Sequence, residues 1–386
     1  MTTTTRPTAR LTAVLRGEAE HVTPLELFFD LVFVLALTQC TALMAGGPTW
    51  TGLAKGVAVL GVMWWCWVGY VWLCSVVDPE EGSVRIVMFT AMAGLLLAAL
   101  AIPDAFGGEA LLFAIAYGIV RAMQVALLLV AGRDDPGLRR SAGGLMISTA
   151  IGVGLLFAAS FADGTLQGAL WALALILDVG GPLVIDPSGW RMNAEHFAER
   201  HGLIVIIALG ESIVAIGVGA EAGVTFGVAV AAAQWWMYFD VVALVAARRL
   251  AKAEPGRERN TIGRDSYSYL HFFMVAGIVL VALGMKKTLG HTDKELEIVP
   301  AVALYGGASV YLLAHVAFRW RNIHTLNRQR LAVAIALVPL IALAVAVPSL
   351  AALAVLAAIL CGLVAYEAIR FGEARERLRR RLLHET

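Results

Sequence analysis

Apolar residues along this chain come in blocks of about twenty, divided by short polar or basic links. That is the length one helix needs to cross the hydrocarbon of a bilayer. The blocks predict spans near 25–45, 50–74, 84–102, 110–131, 142–162 and 165–184, then near 202–220, 224–247, 267–288, 299–318, 329–346 and 348–370. Hydrocarbon offers no partners to backbone N–H and C=O groups, so each block has to satisfy its own, as a helix does. The expected fold class is therefore all-α: a polytopic, multi-pass membrane protein of about twelve transmembrane helices.

The blocks repeat in order. LVFVLALTQ at 31–39 is echoed by LIVIIALGE at 203–211, and Trp64-Trp65 by Trp235-Trp236 one helix later. FTAMAGLLL at 89–97 resembles FFMVAGIVL at 272–280, Tyr117-Gly118 matches Tyr305-Gly306, and Ile176-Leu177 matches Ile359-Leu360. The order points to two parallel six-helix repeats, as in some transporters. The boundaries are a cytoplasmic arm over 1–22, a first repeat over 23–190, a second over 191–370 and a basic tail over 371–386.

Charge adds orientation. Of the 30 lysines and arginines, 25 fall in the N-terminus, every second loop and the C-terminus, which puts both termini in the cytoplasm. Arg200 and Arg330 are counted among these loop cations. The net charge of +1 speaks against a nucleic-acid partner. The first 22 residues have no apolar core of a signal peptide. Cys40, Cys66, Cys74 and Cys361 read as small core residues. The tail from Glu367 can form a leucine-bearing basic helix lying on the anionic inner leaflet.

Two segments carry a resemblance. At TPLELFFDLVFVLALTQ (23–39) and HFAERHGLIVIIALGESI (196–213) the chain resembles the low temperature requirement A family of bacterial membrane proteins. Pro24 to Asp30 match its first motif; His196, Glu199, Arg200, Gly202, Gly210, Glu211 and Ser212 match its second. Trp235, Trp236, Tyr238, Phe239 and Asp240 look like a third. The resemblance implies a multi-pass protein of the bacterial inner (plasma) membrane, linked by name to growth in the cold. It carries no biochemical activity, so chemistry has to come from the residues.

Charges inside apolar blocks are costly and mark protected interiors or water paths. Thr23 and Glu26 flank Pro24-Leu25 as a capping box, which gives both a structural role. Asp30 lies one turn further in on the same face. His196, Arg200 and Glu211 fall on one stripe of the seventh helix, with Glu199 nearby, and Glu211 reaches mid-membrane depth. Arg121 sits deep in the fourth helix beside Gln124 and needs an acid; by depth the expected partner is Glu211, with Asp178 and Asp240 shallower. Gly180-Gly181-Pro182 after Asp178 is an expected unwinding point. Trp64, Trp65, Trp67 and Trp72 read as aromatic packing ahead of a pocket lining. His196 and His201 are wrongly spaced for a metal site, and no nucleotide, hydrolase or other cofactor motif is present, so neither metal nor cofactor is expected.

These groups suggest a proton-coupled secondary transporter of a small solute. Asp30, Glu211, Asp178 and Asp240 would exchange protons, Arg121 would pair with them or with an anionic substrate, and all would share one polar chamber. The alternatives are a membrane-embedded enzyme acting on a lipid or lipophilic metabolite through Asp30, Glu26 and His196, and a sensor or scaffold that recruits partners to its basic loops. Membrane lipids and an unknown solute are the expected partners; homo-oligomerisation stays open.

Overall fold

The computed structural model describes residues 21–217 and 221–384. The arm proposed for 1–22 lies almost wholly outside them. The first half contains α1 (Pro24–Gly46), α2 (Trp50–Cys74), α3 (Gly82–Ala101), α4 (Ala110–Ala131), α5 (Pro136–Ala159) and α6 (Gly164–Val184). These correspond one for one to the expected spans.

The second half is more broken. It contains α7 (Ala194–Gly217), α8 (Glu221–Phe239), α9 (Val242–Lys252), α10 (Arg257–Ile262) and α11 (His271–Gly290). Then follow α12 (Ile298–Ala301), α13 (Gly307–Ile323), α14 (Arg328–Leu337), α15 (Leu340–Ala344) and α16 (Ser349–His384). A π-helical stretch, Gly263–Leu270, joins α10 to α11, and another, Val302–Gly306, joins α12 to α13.

Eleven helical segments among the described residues are long and apolar enough to cross a membrane. The block expected at 329–346 is not one of them. It breaks at Val338-Pro339 into helices of 10 and 5 residues. Proline has no N–H to donate and its ring crowds the preceding turn, which accounts for the break.

Helix starts follow local chemistry. The Thr23 hydroxyl accepts from the Glu26 N–H while the Glu26 carboxylate accepts from the Thr23 N–H, the capping box read from the sequence, with Pro24 at the first helical position. Asp135 caps α5 by accepting from Gly137 and Leu138. Asn193 accepts from Glu195 and His196.

Side chains pointing away from the bundle are apolar. Ile86, Ile147, Phe161 and Ile176 are each at least 60% exposed. Such a surface suits contact with lipid chains rather than water. Inside, α2 is almost wholly buried at the centre of the first half, and α11 and α13 hold that place in the second.

The packing order recurs. In the first half α1 packs on α2 and α3, α3 on α4, α4 on α5, α5 on α6, and α2 on α6. In the second, α7 packs on α8 and α11, α11 on α13, α13 on α14, α14 and α15 on α16, and α8 on α16. The halves meet where α1 packs on α7 and α11.

Several expectations need correction. Arg200 and Arg330 are buried inside the bundle, not loop cations, although the basic asymmetry survives without them. Cys40, Cys66 and Cys74 are core residues, but Cys361 is exposed on the bundle's outer face. The helix does not unwind at Gly180-Gly181-Pro182; α6 runs on to Val184, the Tyr269 hydroxyl donates to the Val179 carbonyl, and Arg264 donates to that of Pro182. The last helix runs 36 residues without a break, so the basic tail continues the axis of the last span instead of forming a separate surface helix. At ~1.5 Å per residue it is ~54 Å long, well beyond the hydrocarbon thickness.

Candidate functional site

The polar groups expected to share one chamber fall into three separate clusters plus an isolated bridge.

The first cluster lies between the halves. Within it Glu26, Asp30, His196 and Arg200 are fully buried. Arg200 donates to Asp30 Oδ1 at 2.5 Å and to Glu26 Oε1 at 3.4 Å, and His196 Nε2 lies 2.7 Å from the same Glu26 oxygen. The Trp67 indole N–H donates to Asp30 Oδ1 at 2.8 Å, and the Arg200 guanidinium lies 5.8 Å from the centre of that ring system. Glu26 therefore does more than cap its helix: one oxygen closes the capping box and the other meets the partner half.

Glu199 is exposed at the mouth of this cluster, where its carboxylate accepts from the Val22 N–H. The three cavities described below are lined by other residues than Glu26, Asp30, His196 and Arg200.

Glu211 stands apart. It accepts from the Thr38 hydroxyl at 2.8 Å, a hydrogen bond between α7 and α1, and it does not meet Arg121. Depth along the helix had favoured that pairing, but the two side chains leave different helices in different directions.

The second cluster is built on Arg121, which is fully buried. Its Nη2 donates to both Asp178 oxygens at 3.0 and 3.2 Å and to Thr149 Oγ1 at 2.7 Å. Its Nη1 donates to Gln124 Oε1 at 2.8 Å, and the Tyr117 hydroxyl donates to Asp178 Oδ2 at 3.2 Å. Arg121 Nε and Gln124 Nε2 have no hydrogen-bond partner among the described residues.

Two voids flank this pair. One, of about 50 Å³, is lined by Trp65, Gly69, Arg121 and Gln124 at its inner end and by Trp190, Asn260 and Arg264 towards the basic end of the bundle. The other, of about 10 Å³, is lined by Trp65, Tyr117, Gly152, Leu156 and Asp178. Trp65 borders both. The first has room for a few water molecules and the second for about one.

The third cluster was not anticipated as a site. Arg330 of α14 makes a two-point pair with Glu367 of α16, Nε to Oε1 at 2.9 Å and Nη2 to Oε2 at 2.8 Å. Arg375 pairs with Glu367 at 2.6 Å and with Asp240 at 2.9 Å. Asp240 thus belongs here and not with Arg121. The one available signal was Glu367, a lone acid closing an apolar helix just ahead of arginines.

The tryptophan pairs also differ. Trp64 and Trp72 donate to Ser268 in the interior, whereas Trp235 and Trp236 are exposed on the outer face. Sequence reasoning missed Thr149 and the buried Tyr238–His271 hydrogen bond as well, since isolated polar residues in apolar runs carry no spacing signal.

A family model described as bacterial low temperature requirement A protein (LtrA) matches residues 21–365. The chain belongs to the low temperature requirement A family. Its first two motifs, 170 residues apart, meet in space through Glu26–His196 and Asp30–Arg200. An uncharacterized protein of Rhizobium meliloti (strain 1021) is 32% identical over 349 residues, covering 82% of this chain and 83% of that protein. No solved structure matches the chain. The family description and the eleven apolar helices identify this member as a multi-pass membrane protein.

Proposed function

We propose that the protein is a secondary carrier that moves a small anion together with a proton, with the Arg121–Asp178 pair and Trp65 as its gate. One observation carries this reading: a buried ion pair separates two voids stacked along the same helices.

An unpaired guanidinium in low dielectric costs several kcal/mol, and arginine does not shed its proton to avoid that cost. Asp178 therefore takes up a proton and releases Arg121 only when another anion replaces it. An anion entering from the side of Arg264 would find Arg121 Nε and Gln124 Nε2 as open donors. Proton and anion binding are then linked, and the loaded site carries the same net charge as the empty one.

Several features support a carrier over a static bundle. The α1–α7 contacts join residues 170 to 174 apart, close to the sequence offset of the repeats, and the packing order recurs in both halves. That pattern favours parallel repeats about an axis along the membrane normal, with both termini on the basic, cytoplasmic side of the inner membrane. In this reading the charged contacts of α1 and α7 hold the halves together while the gate opens within the first.

The test is flux in proteoliposomes. With an inward pH gradient, a panel of small carboxylates and phosphate should include at least one solute that enters with protons. Asp178→Asn should retain anion binding and lose proton dependence, and Thr149→Val should slow flux without removing the pair. Folded, reconstituted protein that moves no solute in any gradient would overturn the proposal.

A further inference from the structure

The largest cavity described, about 470 Å³, lies in the second half, remote from Arg121. Its walls come from α9, the end of α13, the start of α14, and α16. Its composition is two-sided. Val242, Val245, Phe318, Ile323, Leu326 and Phe371 form an apolar wall, and four arginines line the remainder.

The charges do not cancel. Arg330 and Arg375 are matched by Glu367 and Asp240. Arg319 and Arg328 have no acidic partner among the described residues, and the only hydrogen bond from the Arg319 guanidinium goes to the Thr325 hydroxyl. Two cations are therefore left to face the cavity, at the end of the bundle where basic residues concentrate.

Two of the side chains that line it also carry a buried polar atom without a partner. His315 donates from Nδ1 to the Tyr311 carbonyl, which leaves Nε2 as an acceptor, and Nε2 has no partner among the described residues. Asn322 spends both amide hydrogens on Ser266 Oγ and the Phe318 carbonyl, and its Oδ1 is unpartnered. Burying an acceptor unmatched is costly, so both atoms call for a hydroxyl or water donor.

We propose that this cavity binds the head group of an anionic phospholipid that carries hydroxyls beyond its phosphate, with the phosphate on Arg319 and Arg328 and the hydroxyls on His315 Nε2 and Asn322 Oδ1. The apolar wall takes the first carbons of the acyl chains. That wall favours a lipid over a free polyol phosphate, which would leave it wet. The site is independent of the Arg121 gate.

The test uses the full chain, delipidated in detergent, with thermal unfolding and native mass spectrometry as readouts. Phosphatidylglycerol should raise the melting midpoint and stay bound, and phosphatidylcholine should do neither. Arg319→Gln and Arg328→Gln, both at partly or fully exposed positions, should each weaken phosphatidylglycerol binding by about five-fold, the effect of losing one phosphate contact. Arg85→Gln, exposed in the first turn of α3 with no part in this cavity, should leave it unchanged. Equal binding of phosphatidylcholine would mean nonspecific surrounding lipid and would overturn the proposal. So would insensitivity to both arginine substitutions, or glycerol phosphate alone binding as tightly as the lipid.

Discussion

Arg200 on α7 and Asp30 on α1, 170 residues apart, form a buried ion pair at 2.5 Å, and the Trp67 indole donates to the same carboxylate oxygen. Glu26 and His196 repeat the connection one turn away. The two halves are joined at this level by charge, in a setting where hydrophobic association offers little between helices.

Removing one member of that cluster strands the others. Asp30→Asn should lower stability by about 3–5 kcal/mol, the usual cost of breaking a buried pair from one side. A large drop in the melting midpoint of the purified protein would register it, and an unchanged midpoint would refute the joining role.

Glu211→Gln should be nearly silent. Glutamine keeps an oxygen to accept from the Thr38 hydroxyl, so flux should stay within about two-fold of wild type and stability within about 1 kcal/mol. Loss of transport in this variant would return Glu211 to the proton path.

Gly69→Ala tests the gate through its neighbour. A Cβ there would sit 2.4 Å from Gln124 Nε2, so the amide has to swing off Arg121. The protein should fold with a loss of about 1 kcal/mol, while anion binding changes measurably in titrations of the reconstituted carrier.

Asp135 supplies a pH test outside the spans. Burial pushes its carboxyl up, but the Leu138 and Gly137 N–H groups and the Arg191 guanidinium outweigh this and hold it below the usual carboxylate range. A carboxyl depressed on folding stabilises above its unfolded value and loses that contribution as pH falls through the folded one. Asp135→Asn should therefore cost about 1 kcal/mol near neutrality, and the gap to wild type should close in acid, below about pH 4, as thermal melts across pH would record.

Much of the fold was legible because a bilayer imposes a length and a hydropathy on every span. All six helices of the first half follow their apolar blocks, and the Thr23–Glu26 capping box is a contact between near neighbours. The block at 329–346 reads as one run because composition averages over Pro339, which interrupts backbone hydrogen bonding without changing hydropathy and divides it into two shorter helices. Arg200 and Arg330 were misread for a related reason: at a span end, sequence cannot separate a cation facing water from one turned inward.

The site was less legible. Asp30, Glu26, His196 and Arg200 were all singled out, yet their mutual pairing depends on the direction in which α1 and α7 face each other. The expected partner of Arg121 was wrong because depth alone does not fix azimuth.

By itself the sequence determined that this is a helical, multi-pass membrane protein of the low temperature requirement A family, and that Glu26, Asp30, Arg121, Asp178 and Glu211 are among the polar side chains inside it. Those are properties of composition and of period along one helix. Only the tertiary structure decided that Arg121 meets Asp178, that Glu211 bridges to Thr38, and that Arg330 and Glu367 pair beside the largest cavity described. Which acid faces which base is set by the rotation and packing of whole helices, and no single segment encodes that.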